Sequence, residues 1–544
     1  MRKSSLLPLI IIFSIALWIP GYLRRDLWQP DEARYAYVAK EMKAGRHWFV
    51  PHRHGDTYAH KPPLMFWLIN AGSTLTGGEI GKIATRLPSL LGVIMTLWAA
   101  SSIAAMWSDR RTALRTVFIT ATTFAIWWRA GWGQIDMLLC GLQMMSLYLL
   151  FADDIHRTRW RPTLAFVFFG LGIMAKGPVG FIVPLGVYIT ANLLAGKWRN
   201  LMRLHWLRCL PVTLLLPAAW LLAAKKTGAP DAYFRELLFD QNAGRAAGGL
   251  GHIRPIYYYL EYLIMDGLPW VIFLPVAIRA LIKKQRQKVS SENGTGRSAE
   301  LFLPLGWFCF VVLFFSVLPT KRSLYILLAY PALAIIVSSA WTHLADLPHK
   351  AVQISSRLTV GLIAMLGIAL LLIQRIKPDI PLSYSVTVPC AIVLLLGAAS
   401  LFFNFKRFGS ALRWMYQLVG LFVVIYLITS LAILPKFNAM KTPRELIPVV
   451  EKNLPEKRPL LLYQINAEIM PYYCNRPGKV YWGDVDFWRG MRLYKEGVAV
   501  FLKSVWEQKK TAYARLGETG TFKMGNKEYV WLAYKISDDC YKKK

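Results

Sequence analysis

Two adjacent carboxylates, Asp31 and Glu32, follow the first apolar segment directly and open a DEARY motif at positions 31–35. Acidic side chains beside hydrocarbon are costly unless they pair with cations, face water or take part in chemistry. A carboxylate there can orient or deprotonate an acceptor, or stabilise positive charge in a transition state. We therefore predict Asp31 and Glu32 as catalytic residues, and Arg34 and Tyr35 as substrate contacts. The alternative is that Asp31, which follows Pro30, mainly caps a short helix lying on the membrane.

A third acid and a series of cations occur near the ends of later apolar segments. Asp136 ends a GQID motif, and we predict it as catalytic; the alternative is a structural ion pair with nearby Arg129. A lysine or arginine in such a place can bind an anionic substrate or only anchor to lipid head groups. Acids among many cations suit transfer from a lipid phosphate, because the cations neutralise the departing phosphate. The predicted substrate contacts are Lys61, Lys176, Arg245, Arg254, Lys321, Arg322 and Tyr325.

The composition is typical of a membrane protein with many spans. The chain has 544 residues, of which 55% are hydrophobic, and includes 21 Trp and 25 Tyr; its mean hydropathy is +0.35. The formal net charge is +34. A nucleic-acid-binding protein clusters Lys and Arg on a soluble face, whereas here they lie between apolar runs and in the tail. We expect membrane lipids as partners and no nucleic acid.

Apolar runs of about 20 residues predict about thirteen transmembrane helices and a mainly α, polytopic fold. The first run lacks a small-residue cleavage site and is interpreted as a retained helix, not a signal peptide. Clusters of Lys and Arg alternate along the chain with the chemistry-bearing loops, so the positive-inside rule assigns the clusters to the cytoplasm. The predicted spans are near 5–23, 83–106, 112–128, 134–151, 161–175, 178–195, 206–224, 256–280, 301–318, 323–342, 357–374, 385–404 and 411–433.

Two domains are expected. Residues 1–433 form the membrane domain, with large outer loops at 24–82 and 225–255, and residues 434–544 form a small α/β domain. An odd number of spans assigns this tail to the side opposite the basic clusters. Its β-like runs are at 460–463, 479–482 and 529–532. Cys474 and Cys540 in the tail could form a disulfide in an oxidising periplasm or remain free thiols.

The motifs, in this order, resemble bacterial aminoarabinose transferases, which are GT-C, protein-O-mannosyltransferase-like glycosyltransferases. The resemblance extends along nearly the whole chain. It rests on DEARY at 31–35, VPH at 50–52, KPP at 61–63, GQID at 133–136, AKGP at 175–178, HIRP at 252–255, and the segment from Lys321 to Pro331. It implies a GT-C fold and an inner-membrane enzyme, expected to be a monomer. That enzyme would move 4-amino-4-deoxy-L-arabinose from undecaprenyl phosphate to lipid A phosphate on the periplasmic face.

The resemblance also implies residue roles. Asp31 would be the main catalytic carboxylate and Asp136 a second essential acid, while Lys61, Tyr325 and an arginine from 245–254 would hold the donor phosphate. Where the family usually has Glu before the Lys-Pro pair, this chain has His60. The family's acid at that place binds zinc together with a His matching His252. A zinc site at His60 and His252 therefore stays open beside a structural or substrate-binding histidine pair, and no cofactor is required.

Two other functions remain open from the residues alone. The same chemistry could act on another sugar or acceptor, including a glycan or a protein. A lipid flippase or transporter would also explain the spans and cations, but it would place its ionisable groups near the bilayer midplane. The chain contains no P-loop, HExxH or GxSxG motif, so soluble nucleotide use, zinc proteolysis and serine hydrolysis are not indicated.

Overall fold

A computed structural model describes residues 6–202, 208–240, 253–292, 299–346, 349–407 and 411–536. The first part of the chain is almost entirely helical. Its helices are α1 Leu7–Arg24, α2 Asp31–Gly45, α3 Leu64–Thr74, α4 Lys82–Trp107, α5 Arg110–Thr122, α6 Phe124–Ala130, α7 Ile135–Ile155, α8 Trp160–Lys176, α9 Val179–Leu194, α10 Trp198–Met202, α11 Leu210–Lys226 and α12 Asp231–Arg235. Further helices are Tyr258–Asp266, Leu274–Glu292, Ala299–Val317, Ala329–Ala340, His349–Ile376, Tyr384–Arg407 and Ala411–Ile428.

Within the described ranges, eight helices are long and apolar enough to cross a membrane, or nine if the bent pair Tyr258–Asp266 and Trp270–Gln287 is one span. Four further predicted spans are also helical but shorter. They are α5 with 13 residues, α8 with 17, α9 with 16 and α11 with 17. The protein therefore has the mainly α, membrane-spanning architecture that the apolar runs predict.

The chain folds as two compact units. The membrane unit consists of the chain up to Tyr22, Ala59–Met65 and Arg86–Ile433. The tail unit consists of Leu23–Tyr58, Phe66–Thr85 and the described residues from Leu434 onward. Most of the first outer loop, which the sequence analysis assigns to the membrane domain, thus belongs to the same unit as the C-terminal domain.

Glycines bring the helices of the membrane unit into close contact. A Cβ added to Gly141 on α7 would lie 2.5 Å from the carbonyl oxygen of Gly92 on α4. A Cβ on Gly180 of α9 would lie 2.4 Å from the carbonyl oxygen of Gly172 on α8. Small residues of this kind allow membrane helices to pack backbone against backbone. The turn between α8 and α9 contains Gly177 at φ 81°, a conformation that favours glycine, and it fixes the end of α8.

The tail unit contains a five-stranded sheet formed by β3 Leu460–Tyr463, β4 Gly478–Tyr481, β5 Glu496–Leu502, β6 Gly517–Met524 and β7 Lys527–Lys535. The strand order is β4-β3-β5-β7-β6. Strand β3 pairs in parallel with β4 and β5, whereas β7 pairs antiparallel with β5 and β6. Alternate residues of β3, β5 and β7 enter two separate apolar cores, because successive side chains point to opposite faces. The helices of this unit include Leu446–Asn453, Ile469–Tyr473, Asp484–Tyr494 and Lys503–Tyr513. Two further strands of two residues each, β1 His52–Arg53 and β2 Asp56–Thr57, form a separate antiparallel hairpin.

Helix α2 is buried against protein within the tail unit. Its apolar positions, including Ala33, Tyr37 and Met42, are buried, and Ala33 belongs to one of the two cores of the sheet domain. The Tyr37 hydroxyl accepts a hydrogen bond from the Gly478 amide at 2.8 Å. The periodicity that suggested a helix lying on the membrane is therefore explained by packing against the C-terminal domain.

Candidate active site

Asp136 and Lys176 form an ion pair inside the membrane unit. Asp136 lies in the first turn of α7 and Lys176 is the last residue of α8. Their side chains are only 8% and 11% exposed, and Lys176 Nζ donates to Asp136 Oδ1. The alternative pairing of Asp136 with Arg129 is wrong, because Arg129 instead donates to Ser323 Oγ at 3.0 Å.

The start of α7 is fixed by hydrogen bonds to α4. Ser89 Oγ donates to the Gln134 carbonyl at 3.0 Å, and the Gln134 amide lies 3.2 Å from the same hydroxyl. A carboxylate in the first helical turn interacts favourably with the positive end of the helix dipole. The position of Asp136 is thus set by the backbone and by Lys176 together.

The segment from Thr320 to Leu328 brings further predicted contacts to this pair. Lys176 Nζ lies 4.8 Å from the centre of the Tyr325 ring, a distance suited to a cation–π interaction. The charges of Lys176, Arg322 and Lys61 all act on the Asp136 carboxylate, with Lys176 the strongest. The structure therefore brings together one acid, three cations and a tyrosine that the sequence analysis singled out.

Lys321 braces the segment from within. It is 4% exposed and donates to the carbonyl oxygens of Leu318 at 2.6 Å and Arg254 at 3.0 Å. Tyr259 donates from its hydroxyl to the Arg322 carbonyl at 3.2 Å. These hydrogen bonds fix the backbone that carries Arg322. The contacts of Lys321 are therefore those of a residue that supports the site. Its predicted role in substrate binding stays a prediction.

A cavity of about 170 Å³ opens beside the Asp136–Lys176 pair. Its polar end is formed by Asp136, Lys176 and Tyr325, and the rest of its wall is mostly apolar, including Leu139, Val183, Phe315, Leu324 and Leu328. A cavity with charge at one end and hydrocarbon side chains along the other walls is suited to an amphipathic ligand.

His60 has a carboxylate partner. His60 Nε2 lies 3.3 Å from Glu236 Oε1, a contact that the sequence analysis did not anticipate. His252 lies outside the described residues, as does Arg245. In the ranges that the structure covers, no group of three His, Cys, Asp or Glu side chains could hold a metal ion.

The two adjacent acids of the DEARY motif have different surroundings in the tail unit. Glu32 is fully buried and accepts two hydrogen bonds from the Arg25 guanidinium, at 2.8 and 2.9 Å. It also accepts from the Trp28 amide at 3.1 Å. Bidentate pairs of this kind are strong and geometrically specific. Both oxygens of Glu32 are thus engaged in holding the chain before α2.

Asp31 is the first residue of α2, and the N-cap position belongs to Pro30 without a side-chain cap bond. The Asp31 side chain is 10% exposed, and its Oδ1 lies 4.0 Å from Arg34 Nη1. Asp31 is therefore in the first helical turn and not the capping residue. Tyr35, also buried, packs its ring edge to face against Phe66 at a centroid distance of 6.0 Å.

A buried acid of the C-terminal domain completes the surroundings of Arg34. Glu468 has a side chain 4% exposed and lies 3.3 Å from Arg34 Nε and 3.3 Å from Arg53 Nη1. Sequence reasoning missed Glu468, because it is far along the chain from both partners and belongs to no recognisable motif. Only the packing of α2 against the sheet domain brings the three charges together. The second tail cysteine of interest, Cys540, lies outside the described residues, and Cys474 is buried.

Comparisons with known proteins agree with the motif order. The family model for dolichyl-phosphate-mannose-protein mannosyltransferase matches residues 3–233. The undecaprenyl phosphate-alpha-4-amino-4-deoxy-L-arabinose arabinosyl transferase of Edwardsiella ictaluri (strain 93-146) is 29% identical over 458 residues, which are 81% of this chain and 79% of that protein. The protein of the same name from Pseudomonas aeruginosa (strain LESB58) is 28% identical over 69% of this chain and 67% of its own length.

The fold is also that of a solved relative. The crystal structure of ArnT from Cupriavidus metallidurans bound to undecaprenyl phosphate superposes with a TM-score of 0.77. The match covers 96% of this chain and 97% of that one at 19% sequence identity. The chain thus has the GT-C fold and is similar, over most of its length, to bacterial aminoarabinose transferases.

Proposed function

We propose that the protein transfers 4-amino-4-deoxy-L-arabinose from undecaprenyl phosphate to a phosphate group of lipid A. The observation that carries the proposal is the Asp136, Lys176 and Tyr325 cluster at the polar end of an apolar cavity. A polyprenyl phosphate has the matching chemistry, because its chain is hydrocarbon and its head group is anionic. The names of the relatives, and the undecaprenyl phosphate bound in the ArnT structure, support the same substrate class.

The cations stabilise the charge of the leaving group. As the bond between the sugar and the lipid phosphate breaks, negative charge grows on the phosphate oxygens. Lys61 and Arg322 supply positive charge beside Asp136, whose own carboxylate is already paired with Lys176. Preorganised charges of this kind stabilise a transition state without reorganisation during the reaction. In this scheme, Asp136 orients Lys176.

Asp31 acts on the sugar. A lipid A phosphate is already anionic near neutral pH and needs little deprotonation before it attacks. A carboxylate is therefore more useful as a hydrogen-bond acceptor for the sugar and as a counter-charge to the oxocarbenium-like transition state. Of the two acids in the DEARY motif, Asp31 is the better candidate, because Glu32 is committed to Arg25.

The site faces the periplasm in this proposal. The positive-inside rule assigns the basic loops to the cytoplasm. One of these loops joins the end of α7 to the start of α8, whereas Asp136 is at the start of α7 and Lys176 at the end of α8. The position of Asp136 and Lys176 at the ends of their helices also favours an enzyme over a flippase. A transporter concentrates its ionisable groups near the middle of the bilayer.

A second candidate is the same chemistry with another sugar or acceptor. The match to the family model for dolichyl-phosphate-mannose-protein mannosyltransferase favours it, because that description specifies mannose and a protein acceptor. The motif order and the similarity to an arabinosyl transferase over 81% of this chain favour aminoarabinose.

The deciding experiment is mass spectrometry of lipid A from cells with and without the gene. We expect aminoarabinose-modified lipid A only when the gene is present, and its loss when the gene carries Asp31→Asn. Unmodified lipid A in cells that make the protein and the donor would contradict the proposal. Modified glycan or protein in the same cells would favour the second candidate.

A further inference from the structure

A second large cavity lies at the other end of the helices that carry Asp136 and Lys176. It has a volume of about 790 Å³ and is lined by Asp153, Arg157, Thr158, Arg159, Arg208 and Cys209, among others. Helix α8 has 17 residues between this cavity and Lys176. At about 1.5 Å per residue this is a separation of roughly 25 Å, close to the thickness of a bilayer's hydrocarbon core. The cavity is therefore separate from the candidate active site and lies at the opposite membrane surface.

The cavity carries an excess of positive charge. Its three arginines, Arg157, Arg159 and Arg208, are exposed, and no acidic partner is found for them among the described residues. Its one acid, Asp153, is 4% exposed and accepts a hydrogen bond from the Thr158 amide at 2.8 Å. Asp153 thus holds the loop that carries two of the arginines. Three guanidinium groups around one cavity are a strong attraction for phosphate.

The loop that presents these charges is well braced. Arg161 donates to the Ala152 carbonyl at 3.1 Å and to the His156 carbonyl, so it ties the start of α8 to the end of α7. Thr163 Oγ1 lies 3.7 Å from Cys209 Sγ. A Cβ on Gly170 of α8 would lie 2.8 Å from the Thr213 carbonyl oxygen of α11, so these two helices pack closely. The cavity is formed where both of them begin.

Exposed apolar side chains continue from the cavity along the same two helices. Trp160, the first residue of α8, is 55% exposed, and Leu164 one turn later is 37% exposed. On α11, Leu214 and Leu215 are 60% and 64% exposed. Tryptophan is enriched at the membrane interface, with aliphatic side chains toward the hydrocarbon. The arginines therefore lie at head-group level above a surface suited to acyl chains.

We propose that this cavity binds the phosphate head group of an anionic phospholipid, whose acyl chains lie against α8 and α11. The ligand chemistry is a phosphodiester or phosphomonoester attached to hydrocarbon. A soluble phosphate would satisfy the arginines but would leave the adjoining apolar surface unused. Basic pockets between membrane helices are known to bind lipid head groups in this way.

The test uses the full-length protein purified in detergent and native mass spectrometry of bound lipid. Dioleoyl phosphatidylglycerol is the anionic probe, dioleoyl phosphatidylcholine the zwitterionic one and inorganic phosphate the soluble one. We expect R157Q/R159Q/R208Q to bind phosphatidylglycerol at least about tenfold more weakly than wild type, because several charge-assisted contacts are lost. The matched control R111Q/K197Q/R199Q also removes three positive charges, at exposed positions outside the cavity. It is expected to bind phosphatidylglycerol like wild type.

Three results would overturn the proposal. The first is equal loss of phosphatidylglycerol in the control variant, which would show a general surface-charge effect. The second is equal retention of phosphatidylcholine by wild type, and the third is displacement of phosphatidylglycerol by millimolar inorganic phosphate. If the triple variant does not fold, the single variants R157Q, R159Q and R208Q replace it. Each is then expected to weaken phosphatidylglycerol binding, and wild-type binding by all three would also overturn the proposal.

Discussion

At the scale of single residues, the structure separates two acids that look equivalent in sequence. Glu32 is fully buried and bound through both oxygens to Arg25. Asp31 lies at the start of α2 with its side chain 10% exposed, and the Arg34 guanidinium lies 4.0 Å from its carboxylate. A catalytic carboxylate has to reach substrate, and a buried bidentate ion pair prevents this. We therefore propose that the catalytic role within the DEARY motif falls mainly to Asp31.

Asp31→Asn keeps the size of the side chain and removes its charge. We predict an expressed, folded protein whose transfer rate is lower by at least about a hundredfold, the scale of one lost electrostatic contribution to a transition state. The rate is measured on purified protein with lipid-linked sugar and lipid A. Asp56→Asn, an exposed acid in strand β2, is the matched control and is expected to be fully active. Near-normal transfer by Asp31→Asn would shift the catalytic role to Asp136.

Lys61 supplies compact positive charge near Asp136, and Pro62 and Pro63 restrict the backbone that presents it. We predict that Lys61→Ala loses most of its transfer activity, because the negative charge of the departing phosphate is then stabilised less. The thermal unfolding temperature is expected to be unchanged. Lys225→Ala removes an exposed lysine at the end of α11 and serves as the control. Normal transfer by Lys61→Ala would mean that Lys61 is only a head-group anchor.

At the scale of elements, helix α2 is held by ionic contacts within the tail unit. Glu468 follows the sheet strand β3 and lies 3.3 Å from both Arg34 and Arg53. The side chains of these arginines are 27% and 20% exposed, so water screens the pairs only in part. The helix that begins with Asp31 is therefore positioned by the C-terminal domain.

Glu468→Gln removes the counter-charge of two partly buried arginines. We predict a loss of about 2 kcal/mol in unfolding free energy, less than for a fully buried pair because the arginines keep some water. The measurement is thermal unfolding of the full-length protein, compared with Glu507→Gln. Glu507 is exposed on the helix Lys503–Tyr513, and its substitution is expected to change little. Equal unfolding temperatures for the two variants would show that the Glu468 contacts contribute nothing.

His54 gives the tail unit a pH dependence. It is 5% exposed and packs against the Tyr37 ring at a centroid distance of 5.1 Å. Burial, and then the charge of Arg53, lowers the pKa of His54 from 6.5 to about 4. The unfolded chain therefore binds more protons between these values, so the stability contributed by neutral His54 is lost as pH falls from about 6.5 to about 4. The maximum effect is about 3 kcal/mol.

Thermal unfolding of wild type and His54→Gln between pH 7 and pH 4 measures this contribution. The pKa of the Glu41 carboxyl is raised by burial, which acts in the opposite direction, so the difference between the two proteins is the quantity of interest. We expect this difference to shrink as pH falls, because Gln does not titrate. Parallel curves for the two proteins would contradict the role given to His54.

At the scale of the whole molecule, the membrane orientation determines whether the proposed substrates can reach the site. We predict that a periplasm-active reporter fused after Leu434 is active and that one fused after Lys283 is silent. The physical reason is the positive-inside rule, since Lys283 belongs to one of the basic clusters. A reporter active only in the cytoplasm provides the reciprocal control. The opposite pattern would place Asp136 and Lys176 at the cytoplasmic surface and remove the lipid A proposal.

The sequence by itself predicted the membrane-spanning fold and much of the candidate site. Hydrocarbon requires each spanning segment to satisfy its own backbone hydrogen bonds, so a run of apolar residues almost dictates a helix. Strand β3 is also predicted at its observed bounds, Leu460–Tyr463, because a short apolar run suits a strand buried on both faces. Strands β5 and β6 were missed, since strand pairing depends on partners that are distant in the chain.

The tertiary structure decided which charges meet. Arg129 is close to Asp136 in the chain, yet the partner of Asp136 is Lys176, 40 positions away at the end of another helix. Arg34 similarly meets Glu468 only because α2 packs against the C-terminal sheet domain. Periodicity along the chain shows which face of a helix is apolar, but not which element covers that face. Ion pairs depend on distances in space, so their identity is determined only when the helices and the sheet have packed.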